Sequence, residues 1–344
     1  MKLSIFARGL TGRPTGRGFL AREMIAALQR AAPDLSIQLF AGDSFDGPGV
    51  ESLPARGLWR TLRGIGRDVR RADPGVFWSA THFLPGNLPK ALPKVVTLLD
   101  LVWRDHPETM SRLRRWGSGW LESGLHQADR IVCISGFTRD RLIAHWPELG
   151  PWASVMHLGP NARLKMPSSK LPAHLGIDRP YLLNVDTVEP RKGLPVLIEA
   201  MKKLPDLLLV QCGGIGWNVD ETLRLARSVP NVRLMGYVPE EDLAVLYRGA
   251  VAAVFPSIYE GFHLPPLDAA SLGCPIILSD IPVHQEVFQG GAVYFPPNDV
   301  EALLARIRSL DRAALSKAGL QIADRYNWDK SAAVLLDVFR SVAR

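Results

Sequence analysis

The sequence predicts an α/β protein made of two doubly wound domains, and three observations carry that prediction. Short runs rich in Val, Ile and Leu alternate with stretches of helical period along the whole chain, the pattern of parallel sheets covered on both faces. The alternation breaks at Asn161–Asp178, where Pro167, Ser168, Ser169, Lys170 and Pro172 have the composition of a linker. The 344 residues are too many for one ordinary core and comfortable for two.

The strands expected in the first half are Leu3–Ala7, Ile37–Phe40, Val76–Trp78, Val95–Leu99, Ile131–Ile134 and Val155–His157. Those in the second half are Tyr181–Val185, Leu207–Gln211, Val232–Met235, Val251–Phe255, Ile276–Leu278 and Val293–Phe295. Helices fit between them at Gly18–Arg30, Leu194–Lys203, Val219–Ser228, Glu240–Gly249, Pro266–Leu272 and Val300–Leu310. Domains follow at 1–165 and 179–326, with a linker at 166–178. The last segment, 327–344, places Ala332, Val334, Leu335, Val338 and Val342 at helical spacing, so it is an amphipathic helix that needs a surface.

Composition narrows the class. Apolar residues at 47% and charged residues at 22% fit a globular protein rather than a disordered or fibrous one. No apolar run reaches the roughly eighteen residues a spanning helix needs. The N-terminus is interrupted at Arg8 and reads as a first strand, not a signal peptide. Cys133, Cys212 and Cys274 fit no metal spacing and read as buried thiols in a reducing cytosol. The net charge of +7 suits nucleic acid, a membrane surface or an anionic substrate, and does not choose among them.

Two segments carry chemistry. In Phe255-Pro256-Ser257-Ile258-Tyr259-Glu260-Gly261-Phe262-His263-Leu264-Pro265-Pro266-Leu267-Asp268, a buried strand ends in a loop that leads into a helix. Ligands of open α/β sheets bind beyond the carboxyl ends of strands, where this loop lies. Glu260 and Asp268 could address two parts of one extended ligand, and Gly261 would let the backbone approach it. The second segment, Asn184-Val185-Asp186-Thr187-Val188-Glu189-Pro190-Arg191-Lys192-Gly193, leaves a strand and enters a helix. Arg191 and Lys192 stand at the helix start, where the dipole disfavours cations. A phosphate removes that conflict, whereas an isolated pair would be a solvated turn.

Together, Glu-Pro-Arg-Lys-Gly at 189–193 and the motif running from Pro256 to Ile276 resemble the family-4 retaining glycosyltransferases, of GT-B fold. The resemblance extends through Gly236-Tyr237-Val238-Pro239 and Ser279-Asp280-Ile281-Pro282 to Asn327-Trp328. More weakly, it covers Gly16-Arg17-Gly18 and Ser135-Gly136-Phe137-Thr138. It implies two Rossmann-like domains facing across a cleft, with a C-terminal crossover helix returning to the N-terminal domain. It implies a nucleoside diphosphate sugar donor held mainly by the C-terminal domain. Glu260, Arg191 and Lys192 would be catalytic, the cations neutralising the departing diphosphate and Glu260 facing the sugar. Asp268 would accept from the ribose hydroxyls, and Tyr237 and Val238 would lie beside the base. Thr187, Gly261, Phe262, His263 and Leu264 would complete the donor site, with Gly16 and Gly18 closing on the diphosphate from the other domain.

The chemistry agrees with those roles. Fixed cations and amide dipoles stabilise a diphosphate most when it is most charged, at the transition state. Hydrolases instead flank the bond with two carboxyls. The resemblance implies same-face attack, so no enzymatic nucleophile is expected. No cofactor and no metal are expected either, because Arg191 and Lys192 do the neutralising.

Three positions depart from the family. Asp268 replaces a Glu. Leu99 stands where a His is common, beside Asp100; His82 or His106 could substitute, and His82 and Asp100 are candidates for the acceptor side. Asp186 stands where Gly is usual and is tolerable near a diphosphate if it points away or pairs with Arg191.

Arg56, Arg60, Arg63, Arg67 and Arg70 recur every three or four residues, with Arg71 adding a sixth charge, and on a helix they share one face. Such a face could lie on anionic lipid or simply be solvated. Gly64 and Gly66 weaken the helix. Arg112, Arg114 and Arg115, near Trp116 and Trp120, repeat the theme. Aromatic residues are not interleaved as stacking platforms, which argues against nucleic acid.

The leading expectation is a cytoplasmic enzyme, with the inner face of the plasma membrane as a candidate surface. It would move a sugar, mannose from GDP-mannose as the best guess, to a glycan or polyprenyl-linked acceptor. The product would be a surface polysaccharide such as lipopolysaccharide. The acceptor would be read by loops near Ala41–Leu58 and His82–Lys90. A non-catalytic sugar-nucleotide-binding scaffold of the same fold is the alternative. A dinucleotide enzyme fits less well, because Gly213-Gly214-Ile215-Gly216 lacks the G-x-G-x-x-G spacing and reads as a turn.

Overall fold

The computed structural model of the chain describes residues 1–11, 16–57, 59–111, 118–164 and 173–343. They form two compact units. The first comprises Met1–Leu101, Trp116–Leu158 and Asn327–Arg344; the second comprises Val102–Arg115 and Gly159–Tyr326.

In the first unit, seven strands form a wholly parallel sheet: β1 (Lys2–Ala7), β2 (Ser36–Ala41), β3 (Val50–Pro54), β4 (Val76–Ser79), β5 (Lys94–Leu98), β6 (Arg130–Cys133) and β7 (Ala153–Val155). Their spatial order is β3-β2-β1-β4-β5-β6-β7. The order reverses direction between β1 and β4, the topological switch of a doubly wound sheet. β1 buries five of its six residues, which explains its unbroken Leu-Ser-Ile-Phe-Ala run. Helices α1 (Gly16–Ala31) and α2 (Ile65–Ala72) follow β1 and β3. A π-helical turn, Arg60–Gly64, leads into α2.

In the second unit, six strands are again all parallel: β8 (Tyr181–Val185), β9 (Leu208–Cys212), β10 (Val232–Gly236), β11 (Ala252–Phe255), β12 (Ile276–Ser279) and β13 (Val293–Phe295). Their order is β10-β9-β8-β11-β12-β13, so the switch lies between β8 and β11. Both predicted chemical segments leave these two strands. Leu182, Leu197, Val254, Ile277 and Leu303 join sheet and helices in one buried core.

Three expectations are corrected. Val50–Pro54 is a strand rather than part of an acceptor loop. It is an edge strand with no fully buried residue, so its pattern carries no continuous apolar run. The seventh strand ends at Val155 instead of beginning there. The domain boundaries also differ: the second unit begins at Gly159, not after residue 165, and takes in an excursion starting at Val102. That excursion is tied by Tyr259, whose hydroxyl donates to Asp105 at 2.9 Å, and by Trp217, whose Nε1 donates to the Thr109 carbonyl at 2.8 Å. Within the expected linker, residues 165–172 lie outside the described set.

The terminal helix α13 (Trp328–Val342) packs on the first unit, as its apolar stripe requires. Trp328 meets Phe19 edge-on with ring centroids 5.8 Å apart, and Phe339 meets Trp78 at 6.1 Å. Ser331 Oγ donates to the His157 carbonyl at 2.6 Å. The intervening helices are α3 (Val102–Asp105), α4 (Ser118–Gln127), α5 (Gly136–His145), α6 (Leu194–Met201), α7 (Asp220–Ser228), α8 (Glu240–Gly249), α9 (Leu264–Ser271), α10 (Pro282–Phe288), α11 (Val300–Arg308) and α12 (Arg312–Ala323).

Candidate active site

The switch of the second sheet brings together the loops leaving β8 and β11. Arg191 and Lys192 sit on a 3₁₀ turn, Pro190–Lys192, just before α6. Gly193 follows at φ +64°, and a Cβ there would stand 2.0 Å from the Pro256 carbonyl oxygen. Only glycine lets the two loops approach so closely. The Ile258 amide donates to the Arg191 carbonyl at 2.8 Å and joins them.

The side chains form a buried network of charges. Glu260 lies 2.7 Å from Arg191 and 2.6 Å from Lys192. Lys192 Nζ lies 2.5 Å from Asp186. Arg191 Nε reaches Glu189 at 3.2 Å, and its NH1 donates to the Tyr259 carbonyl at 3.2 Å. His263 Nε2 stands 3.1 Å from Asp186, and its Nδ1 stands 2.9 Å from His284 Nε2. Glu260, Lys192, Asp186 and His263 are each under 10% exposed.

Burial alone would raise the Glu260 pKa; Arg191, His263 and Lys192 outweigh it and hold the carboxyl well below its usual range. Asp186 is also lowered, with Lys192 and His263 overcoming burial. Glu189 is raised, because burial there exceeds the help of Arg191 and Lys192. Asp186, Glu260 and His263 offer ligand atoms within 4.8 Å of one another. The cation already seated against the two carboxylates is the Lys192 ammonium.

Sequence reasoning located Arg191, Lys192 and Glu260, and the fold brings them together. Of the settings the sequence leaves open for Asp186, a cation partner is realised, and it is Lys192. Lys192 is buried, at 7% exposed. Asp268 Oδ1 accepts from the Asn161 backbone amide at 2.7 Å. Gly261, Phe262, His263 and Leu264 lead into α9, and Thr187 is exposed beside Asp186. Tyr237 is exposed and Val238 buried beyond β10. The Gly213-Gly214-Ile215-Gly216 stretch turns beside Val188, with the Gly213 amide donating to the Gly236 carbonyl at 2.7 Å.

Gly16 and Gly18 open α1 in the first unit. His82 follows β4 and is buried; burial, helped by Arg17, lowers its pKa to about 3. Asp100 is half-buried beyond β5. His106 belongs to the second unit, where Nδ1 stands 2.9 Å from Glu108 and the ring lies against Tyr259. Glu189 and His284 were missed. His284 lies two residues past the Ser279–Pro282 motif, and nothing in its spacing marks it.

The family Glycosyl transferases group 1 matches residues 169–315. The chain carries a glycosyltransferase group 1 domain. Among relatives of this glycosyltransferase is O-antigen chain mannosyltransferase B of Escherichia coli, 29% identical over 284 residues, which cover 77% of this chain and 74% of that one. Two solved structures share the fold. WaaG, a glycosyltransferase involved in lipopolysaccharide biosynthesis, matches with TM-score 0.75 and 15% identity over 98% and 99% of the two chains. Anabaena HepE in complex with UDP-glucose matches with TM-score 0.76 and 17% identity over 99% and 100%. The fold is therefore GT-B, and the glycosyltransferase's two parallel sheets are its Rossmann-like domains.

Proposed function

We propose that this glycosyltransferase moves mannose from GDP-mannose, with retention, to a glycan or polyprenyl-linked acceptor in surface-polysaccharide synthesis. The observation that carries the reading is the buried Arg191–Glu260–Lys192 set at the switch point of the second sheet. The O-antigen mannosyltransferase relative supports mannose as the sugar. In this reading the two cations release their carboxylates to a diphosphate and stabilise it as it departs. Glu260 faces the sugar, Asp268 the ribose, and Tyr237 the base. No metal takes part, since the Lys192 ammonium fills the place between the carboxylates that a metal ion would need.

The acceptor side falls to the first unit. The segment 83–88 lines a cavity of about 530 Å³ together with Lys90, Lys94 and Gln127. No helix among the described residues is long and apolar enough to cross a membrane. We place the enzyme in the cytoplasm, resting on an anionic membrane through the face around α2. Trp59 is 72% exposed there with Arg63 over its ring, and Arg67, Arg70 and Arg71 are exposed as well.

The test is sugar transfer from GDP-mannose compared with UDP-glucose, with and without a chelator, using polyprenyl-linked acceptors. Transfer from GDP-mannose that survives chelation is expected. Glu260→Gln should lower kcat by roughly a hundredfold or more. Cellular glycan left unchanged by Glu260→Gln would favour the non-catalytic scaffold.

A further inference from the structure

Tyr259 stands next to Glu260 and is 5% exposed, so its hydroxyl needs a partner inside the protein. The partner comes from far along the chain. Asp105 Oδ2 accepts from that hydroxyl at 2.9 Å, across 154 positions. On its backbone, the same residue meets a cation of the site: the Tyr259 carbonyl accepts from Arg191 NH1 at 3.2 Å. One residue thus links Asp105 to Arg191.

The segment that bears Asp105 is bonded within itself and to its surroundings. The His106 amide donates to the Val102 carbonyl at 2.9 Å. The Thr109 amide and hydroxyl both donate to the His106 carbonyl, at 3.1 and 2.7 Å. The Thr109 carbonyl in turn accepts from Trp217 Nε1, in the segment between β9 and α7, and the His106 ring lies 5.1 Å from the Tyr259 ring. All of these residues belong to the second unit, as the β11 loop does. Asp105 is therefore a fixed point against which Tyr259 can be held.

Placement matters at this loop. Arg191 holds Glu260 at 2.7 Å, and the Ile258 amide joins the loop to the Arg191 carbonyl at 2.8 Å. A displacement of about 1 Å in a reacting geometry can cost about a hundredfold in rate.

We propose that Asp105 and Tyr259 are positioning residues: the Asp105 carboxylate fixes the phenol, and the Tyr259 backbone fixes Arg191 and Glu260 for the reaction. The catalytic consequence rests on the transferase reading above; the ordering of the loop does not. Neither side chain is assigned a contact with substrate.

The test is kinetics of the full chain with GDP-mannose. Tyr259→Phe keeps the ring and loses only the hydroxyl; it should lower kcat roughly tenfold, with KM for the nucleotide sugar little changed. Asp105→Ala should do the same, whereas Asp105→Asn keeps an acceptor oxygen and should restore most of kcat. On top of Tyr259→Phe, Asp105→Ala should cost much less than it costs the wild type, because the shared bond is already gone. A bond that only supports the fold would lower the melting temperature and leave kcat alone. Unchanged kcat in Tyr259→Phe, no rescue by Asn, or losses that multiply in full would each overturn the positioning role.

Hydrogen exchange of the ligand-free chain is the second arm. The Ile258 amide should exchange faster in Tyr259→Phe than in the wild type, and unchanged exchange there would overturn the ordering of the loop. If the wild type transfers no sugar, faster exchange at Ile258 keeps the clamp and sinks the transferase reading alone.

Discussion

Lys192 stands between Asp186 and Glu260 with almost no access to water. Removing one member of a buried ion pair strands the others, at a cost of about 3 to 5 kcal/mol. Lys192→Met should lower unfolding free energy by that amount in denaturant titrations, besides abolishing transfer. Adding Asp186→Asn should recover part of it, because one stranded charge is gone. The histidines make a separate prediction. Burial holds His82 and His284 near a pKa of about 3, whereas the unfolded chain binds those protons near pH 6.5. The unfolded state therefore binds more protons between those limits, and stability is lost as pH falls from about 6.5. Two such sites give a slope approaching about 2.7 kcal/mol per pH unit. Asp186 and Glu260 act lower down: their depressed values stabilise the fold above the ordinary carboxyl range, and that is lost as pH falls through their folded values. His82→Gln and His284→Gln should each remove about one proton from the slope measured between pH 6 and 5.

Among the elements, the basic face shows what spacing can and cannot reveal. The arginines repeat at helical intervals, but Arg56 lies before the helix and pairs with Asp43, and Arg60 pairs with Asp68 and covers the Phe40 ring. Arg70 is occupied too, its NH1 donating to the Asn87 carbonyl at 2.8 Å, and Arg63, Arg67 and Arg71 are exposed beside it. Arg112, Arg114, Arg115 and Trp116 lie outside the described residues, as does the side chain of Trp120. Gly66, read from sequence as a helix weakener, is a contact: a Cβ there would stand 2.1 Å from the Asn87 carbonyl oxygen. Gly66→Ala should displace α2 from the 86–87 turn and lower the melting temperature. Arg63→Glu with Arg67→Glu should leave melting unchanged and reduce sedimentation with anionic vesicles; unchanged sedimentation would remove the membrane reading. β8, β9, β11 and β12 were legible because they are buried almost throughout and read as apolar runs. Val50–Pro54 was not, since none of its residues is buried and no apolar run marks it. The partner of Asp186 was not legible either. Which of two adjacent cations turns inward depends on the 3₁₀ turn, and no residue type announces that.

For the whole molecule, the C-terminal helix makes the sharpest prediction. Trp328, Leu335 and Phe339 are buried against α1 and the first sheet. Deleting one large buried aromatic costs about 3 to 5 kcal/mol, and truncation after Tyr326 deletes two. The truncated chain should lose hydrogen-exchange protection throughout the first sheet. The second unit should keep its protection and its thermal stabilisation by GDP. Protection retained in β1 and β4 would show that the helix is dispensable.

The chain passes from one unit to the other four times, at 101/102, 115/116, 158/159 and 326/327. Neither unit is thus a continuous stretch of gene. A single recombination event in the middle would trade the second unit without its 102–115 excursion and leave the remainder dependent on a foreign tail. Exchange of whole units between related transferases needs matched breakpoints at several places, so variation in either unit should accumulate by substitution more readily than by shuffling.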